Sequence, residues 1–137
     1  ITVGNGYAGL FRTVEPDFVT PVTGSVDMRL EKAQVHFVRD GQASPGTVNW
    51  AFLNFNFNKQ TFATEMSTAH PVTGNVILYG QGGLNTNPTV PGIFLSDPRL
   101  SNANVAGAYT SDAQKAGYQI EAPAASGSLI GTTLWKR

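Results

Sequence analysis

Few side chains in this sequence could carry nucleophilic or acid–base chemistry. Cysteine is absent and there are only two histidines, His36 and His70. His36 lies within a predicted strand, and His70 precedes Pro71 in a predicted turn. A catalytic serine needs a neighbouring histidine as its base, and the sequence has no Gly-x-Ser-x-Gly elbow that would present such a serine. We expect both histidines to be solvated or to cap turns.

The carboxylates and glycines likewise lack the pattern of a reactive or metal site. Glu15 and Asp17 form the closest carboxylate pair, but no apolar surroundings would make one of them an acid and the other a base. A metal site needs three or four converging ligands, and no His-x-His or Asp-x-Asp-x-Asn-Gly spacing occurs. The glycines of residues 80–83 lack the following Lys and Ser or Thr of a phosphate-binding loop, so they predict a turn. The sequence therefore predicts no enzyme activity, no metal and no cofactor.

The composition is that of a neutral protein with a packed core and a polar surface. Nine basic and nine acidic residues give a formal net charge of zero and a pI near 6.9, which argues against nucleic acid or an anionic membrane as partner. Charged residues make up only 13%, whereas 41% are hydrophobic, which is enough for a core. No run reaches the roughly 18 apolar residues of a membrane helix, so no membrane span is predicted.

Residues 1–137 are expected to form one all-β domain, because this length suits a single core. Fifteen glycines and eight prolines separate short alternating or aromatic segments, and no window has helical spacing. These segments predict eight strands, at 7–13, 25–38, 47–57, 61–68, 75–80, 104–109, 117–121 and 128–136. Their spacing indicates an antiparallel eight-stranded up-and-down barrel, with a β-sandwich as the alternative. The start at Ile1 instead of Met suggests a domain excised from a longer protein.

Two long strands show a shift in which alternate side chains are apolar. The shift comes near Glu31 and Lys32 in strand 25–38, and between Phe52 and Leu53 in strand 47–57. The predicted inward side chains are Val26, Met28, Leu30, Ala33, Val35 and Phe37 in the first strand, and Val48, Trp50, Phe52, Leu53, Phe55 and Phe57 in the second. One extra residue, a β-bulge, produces such a shift and bends the strand, which is how a sheet closes into a barrel.

Asn54, Asn56 and Asn58 face away from the second inward set, although asparagine is uncommon in strands. These amides could bind a sugar or a peptide beside Trp50. The interpretation we favour is the wet outer face of a half-buried strand. Trp135, near the end of the last strand, is predicted to plug the core or the rim of the barrel.

The longest weakly patterned stretch, residues 81–102, is the candidate binding loop. It combines proline, glycine and asparagine with four apolar side chains, Leu84, Ile93, Phe94 and Leu95. These side chains either fold back to plug the barrel end or form an exposed patch for a partner. We predict partner contact on this loop and not on the sheet faces, with plugging as the alternative.

Three pieces of the sequence resemble one family of bacterial barrels. The segments VAGAY (105–109), DA (112–113) and AGY (116–118) resemble the strand–turn–strand signature of the transferrin-binding-lipoprotein type of β-barrel. The segments NFNF (54–57) and NKQTF (58–62) are similar to a hairpin of that family. The ending GTTLWKR (131–137) resembles the barrel at the C-terminus of bacterial proteins with an FecR-type domain. The resemblance implies an eight-stranded envelope barrel without catalysis.

We therefore expect a non-catalytic binding or structural module of a Gram-negative cell-envelope protein. Its expected location is the periplasm or the outer-membrane surface, and its expected partner is an envelope or host protein. The alternative function is a carrier that holds a small apolar ligand inside the barrel. Eight strands leave either a filled interior or room for one small ligand, so the packing of the interior separates the two functions.

Overall fold

The computed structural model describes residues 23–84 and 92–137, and these residues are almost entirely β-strand. The described strands are β1 Ser25–Arg39, β2 Gln42–Pro45, β3 Thr47–Asn56, β4 Thr61–His70, β5 Gly74–Gly83, β6 Ile93–Leu95, β7 Asn104–Tyr109, β8 Lys115–Ala124 and β9 Gly127–Lys136. Two short 3₁₀ turns, Pro98–Leu100 and Ser111–Ala113, are the described helical segments. The all-β prediction is confirmed.

The strands form one antiparallel sheet that curls into a nearly closed barrel, as predicted. The strand order is β5-β4-β3-β1-β9-β8-β7-β6, and β2 pairs only with β1. β1 is the longest strand and joins the two halves of the barrel. It pairs with β9 along Arg29 to Val38, whereas on its other edge it pairs first with β3 and then with β2.

The barrel closes where β5 meets the segment around β6, and side chains replace part of a strand ladder there. Ser101 Oγ accepts a hydrogen bond from Gln81 N at 3.0 Å, and Asn102 Oδ1 accepts one from Tyr79 N at 2.7 Å.

The glycine-rich residues 80–83 belong to β5, so the predicted turn is wrong. Glycine is needed at Gly82 because an added Cβ would collide with the carbonyl oxygen of Leu95.

Aromatic rings from both halves of the barrel fill its interior. Phe55 and Phe62 of β3 and β4 contact Phe94 of β6 with ring centroids 5.3 and 4.7 Å apart. Tyr109 of β7 packs against Phe55 at 5.2 Å, and Tyr118 of β8 lies next to Trp135 at 5.9 Å. All of these rings are buried, so Trp135 is a core residue as predicted.

Seven of the predicted strands are observed, and the predicted bulge in β1 lies between Leu30 and Lys32, as expected. The short strands β2 and β6 escaped prediction. The bulge in β3 lies between Val48 and Trp50, several residues earlier than the predicted shift. Trp50 and Phe52 therefore point outward, and the prediction that they face the core is wrong. Predicted strand 7–13, the pair Glu15 and Asp17, and residues 85–91 of the candidate loop lie outside the described residues.

Phe52 and Phe55 offer a matched test of this facing, because both are phenylalanines on β3 but only Phe55 is buried. Phe55→Ala should lower the free energy of unfolding by about 3–5 kcal/mol through lost burial and a cavity. Phe52→Ala should change it by about 0.5 kcal/mol, as expected for a surface position. Urea unfolding of the two variants measures both values, and equal losses would contradict the observed register.

Candidate functional site

The structure separates the four apolar side chains of the candidate binding loop. Leu84 and Phe94 are buried in the core, where Phe94 touches four other rings, and Ile93 is half-buried. Leu95 is 55% exposed on the outside of the barrel. Leu84 and Phe94 are therefore plug residues, the alternative foreseen for them, and they are not available to a partner. Contact of a partner with Leu95 stays a prediction.

Four partly exposed apolar side chains lie on the outside of the barrel, on the two strands that flank β4. We call this group the aromatic face and define it by Trp50, Phe52, Ile77 and Tyr79, whose side chains are 45%, 44%, 49% and 42% exposed. Phe52 and Tyr79 stand in one row across the sheet, and Trp50 and Ile77 stand in the next. The prediction that partner contacts lie on the loop and not on the sheet faces placed Trp50 and Phe52 in the core. Both side chains are exposed, so this reason for leaving out the sheet faces no longer holds.

Strand β4 forms the floor between these side chains. Its outward residues are small except for one carboxylate, and they are Thr61, Ala63, Glu65, Ser67 and Ala69. Glu65 is opposite Phe52 on β3 and opposite Tyr79 on β5. Its Cβ atom therefore lies about 5 Å from the Cβ atom of each of these two residues. Glu65 is half-buried, and no hydrogen bond or ion pair joins its carboxylate to another described residue. Within residues 23–84 and 92–137, the negative charge at the centre of the aromatic face is thus uncompensated.

A groove with a mixed polar and apolar lining lies next to the aromatic face. A cavity of about 370 Å³ there is lined by Asn54, Asn56, Lys59, Thr61, Phe62, Ala63, Gln81, Gly82, Gly83, Asp97 and Leu100. At its rim the Arg99 side chain donates to the Asp97 carboxylate, which lowers the pKa of that carboxyl. Leu100 is exposed at the same rim.

The outward facing of the asparagine row is confirmed, and its amides are largely used within the protein. Asn54 Nδ2 donates to Ser25 Oγ at 3.0 Å and to Asp27 Oδ1 at 2.8 Å. Asn58 Oδ1 accepts from Gly24 N at 3.1 Å. These bonds fasten the start of β1 to β3, which leaves the amides less free to bind a sugar or a peptide.

The pair Ser44 and His70 is the one described arrangement that resembles a nucleophile with its base. Ser44 Oγ lies 2.8 Å from His70 Nε2. However, the backbone N–H of Val72 donates to His70 Nδ1 at 3.0 Å, so Nδ1 carries no proton in the neutral ring. The proton is then on Nε2, which donates to Ser44 and has no lone pair to accept the serine proton. His70 is thus a turn-capping residue, as predicted, and this tautomer cannot act as a general base.

A second buried polar cluster lies inside the barrel. Trp135 Nε1 donates to Thr133 Oγ1 at 2.6 Å. Tyr118 Oη lies 2.8 Å from Thr64 Oγ1, which donates to the carbonyl oxygen of Phe52 at 2.7 Å. Because Thr64 gives its one proton to the Phe52 carbonyl, the Tyr118 hydroxyl donates to Thr64. Burial raises the pKa of Tyr118 to about 12, so this phenol stays neutral and structural.

Within residues 23–84 and 92–137, no three His, Cys, Asp or Glu side chains come together as metal ligands would. No helix in these residues has the length and apolar character to cross a membrane.

The sequence matches no protein-family model and no curated protein. The solved structures that are similar to the chain include two of transferrin binding protein B. One is the double mutant Tyr-167-Ala and Trp-176-Ala of the vaccine antigen transferrin binding protein B from Haemophilus parasuis, with a TM-score of 0.48 and 12% identity. The other is intact Ap-TbpB with its N and C lobes, with a TM-score of 0.48 and 13% identity. Each match covers 85% of this chain and 26% of the solved one, so this chain spans about a quarter of their length.

Tyr118 should give the protein a measurable sensitivity to alkali. Its folded pKa of about 12 exceeds the unfolded value near 10, so its contribution to stability is complete below pH 10 and is lost as the pH rises through 12. The expected loss is about 2–3 kcal/mol. Urea unfolding at pH 9 and pH 12 should show this loss in the wild type, with a correspondingly smaller loss in Tyr118→Phe. Equal losses in the two proteins would contradict the assignment.

The Ser44 and His70 pair should be catalytically inert, because the tautomer places the proton on the wrong nitrogen. Hydrolysis of an activated ester such as p-nitrophenyl acetate should proceed at the same background rate in the wild type, Ser44→Ala and His70→Ala. His36→Ala, which changes a half-buried histidine on β1, is the control. Turnover that disappears only in the Ser44 and His70 variants would show that the other tautomer forms and acts.

Proposed function

We propose that this chain is a non-catalytic binding module of a Gram-negative cell-envelope protein and that it binds a protein partner through the outside of its barrel. The observation that carries the proposal is the aromatic face, where four large apolar side chains are exposed together. Single exposed apolar residues are ordinary, but several grouped on one face of a sheet are typical of an interaction site. Aromatic residues in particular are enriched in the energetically important parts of protein interfaces.

The packing of the barrel supports binding on the outside in preference to the carrier function. A carrier needs a lumen, whereas rings from β3, β4, β6, β7 and β8 meet at centroid distances of 4.7 to 6.4 Å along the barrel axis. A ligand could enter only by displacing rings from a closely packed core, at a cost of several kcal/mol. The tautomer of His70 supports the non-catalytic part of the proposal.

The envelope location is supported by the resemblance of residues 105–118 to transferrin-binding-lipoprotein barrels. The structure gives the glycine of this signature a packing reason. Gly107 of β7 is opposite Tyr118 of β8, and an added Cβ at Gly107 would lie 2.5 Å from the edge of the Phe94 ring. Glycine at this position allows Phe94 and Tyr118 to pack beside the β7 backbone. The glycine of the signature is therefore needed for the packing inside the barrel.

The proposed partner surface extends from the aromatic face towards the loop that the sequence indicated. Leu100 lines the groove next to Gln81, and Leu95 is exposed on β6 nearby. Leu95 thus keeps the role predicted for it, as a contact at the margin of the surface.

Site-specific photo-crosslinking in intact cells tests this function. A benzophenone amino acid at Tyr79 should give a discrete adduct, whereas the same probe at Glu121, an exposed position on β8, should not. Excess unlabelled barrel should suppress the adduct, and excess Phe52→Ser/Tyr79→Ser barrel should not. Equal labelling from both positions, or no adduct from position 79, would contradict a binding role for this face. Recovery of the adduct in the envelope fraction tests the location.

A further inference from the structure

Among the described residues, no cation pairs with the carboxylate at the centre of the aromatic face. Two ion pairs occur in the described part of the chain, Asp97 with Arg99 and Glu31 with Lys115, and neither involves Glu65. The cross-strand neighbours of Glu65 are Phe52 and Tyr79, and its neighbours along the same face of β4 are the small residues Ala63 and Ser67. The diagonal neighbours are Trp50, Asn54, Ile77 and Gln81, of which none is basic.

A carboxylate between two aromatic side chains has a definite complementary group. The faces of aromatic rings attract cations, and a carboxylate forms charge-assisted hydrogen bonds to the same cation. A half-buried carboxylate has also lost part of its hydration, so a partner that brings a positive charge gains more here than at a fully exposed site. Charge complementarity therefore defines the occupant of this face.

We propose that the aromatic face binds an arginine side chain of the partner protein, with the guanidinium between Phe52 and Tyr79 and paired to Glu65. Arginine fits better than lysine because its planar guanidinium stacks on rings and binds a carboxylate with two parallel hydrogen bonds. Apolar neighbours of that arginine contact Trp50 and Ile77 in the next row. This inference rests on the proposed function and specifies the chemistry of its partner.

A second copy of this chain is a poor occupant of the same surface. A twofold contact through the aromatic face would be self-complementary, so it would bring the central Glu65 of one copy towards that of the other. Two unpaired carboxylates that approach each other in a partly dry interface repel. The uncompensated charge thus favours a different protein over self-association.

The test uses small probes in place of the unidentified partner. N-acetyl-arginine amide and N-acetyl-citrulline amide have nearly the same shape but differ in charge. Titration of the protein with the arginine probe should shift the backbone amide NMR signals of residues 50–52, 65 and 77–79. The citrulline probe should bind at least about tenfold more weakly. Glu65→Gln should weaken binding of the arginine probe by a similar factor, and Tyr79→Leu should weaken it through loss of the ring.

Glu121→Gln is the matched control, because it removes an exposed strand carboxylate away from the face and should leave binding unchanged. Melting curves of each variant verify folding, and Tyr79→Leu provides the test if Glu65→Gln does not fold. Equal binding of both probes, unchanged affinity in Glu65→Gln, or shifts at other residues would overturn the arginine site. Dimerisation in sedimentation that Phe52→Ser abolishes would also overturn it, in favour of self-association. If the arginine probe does not bind as expected but the photo-crosslinked adduct at Tyr79 still forms, the binding function stands and only the proposed arginine is wrong.

Discussion

The packing of aromatic rings from both halves of the barrel is the constraint on which the other features depend. Phe55 and Phe62 come from one half of the sheet and Phe94 from the other, and their contacts hold the halves together where β5 and β6 share little ladder. Because the same rings occupy the space that a ligand would need, the interior serves stability. In the proposed function, recognition is consequently left to the outer surface, which directs attention to the exposed side chains of β3, β4 and β5.

The filled interior also determines what the buried polar groups do. The hydroxyls of Thr64 and Tyr118 lie among rings, where an unpaired polar atom would cost about 1–3 kcal/mol. Their mutual hydrogen bond and the bond from Thr64 to the Phe52 carbonyl satisfy them, and within the described residues no buried side-chain polar atom lacks a partner. The polar atoms of His70 are satisfied as well, since both of its ring nitrogens form hydrogen bonds within the protein. Thr64, Tyr118 and His70 are thus held in roles that stabilise the fold.

Much of this fold follows from the sequence, whereas the candidate site does not. Periodicity predicts the positions of seven strands and the bulge near Glu31, because apolar and polar side chains alternate along a half-buried strand. The facing of Trp50 depends on where the bulge in β3 lies. Both placements of that bulge keep Leu53 inward, so the pattern alone cannot decide between them. The pairing of Trp50 with Ser67 decides it, and that pairing is set by contacts between strands that the sequence of one strand does not contain.

The closure of the barrel determines how a partner can bind. An open sheet edge would offer backbone N–H and C=O groups to an added strand, and main-chain hydrogen bonds would then supply the affinity. On β5 the amides of Tyr79 and Gln81 are already bonded to Asn102 and Ser101, so strand addition is blocked there. Binding next to this edge must use side chains that project from the sheet face, where specificity depends on shape and charge. In the proposed binding mode, one carboxylate among aromatic side chains would select the partner more strongly than additional apolar area would, because an interface that left it buried and unpaired would lose affinity.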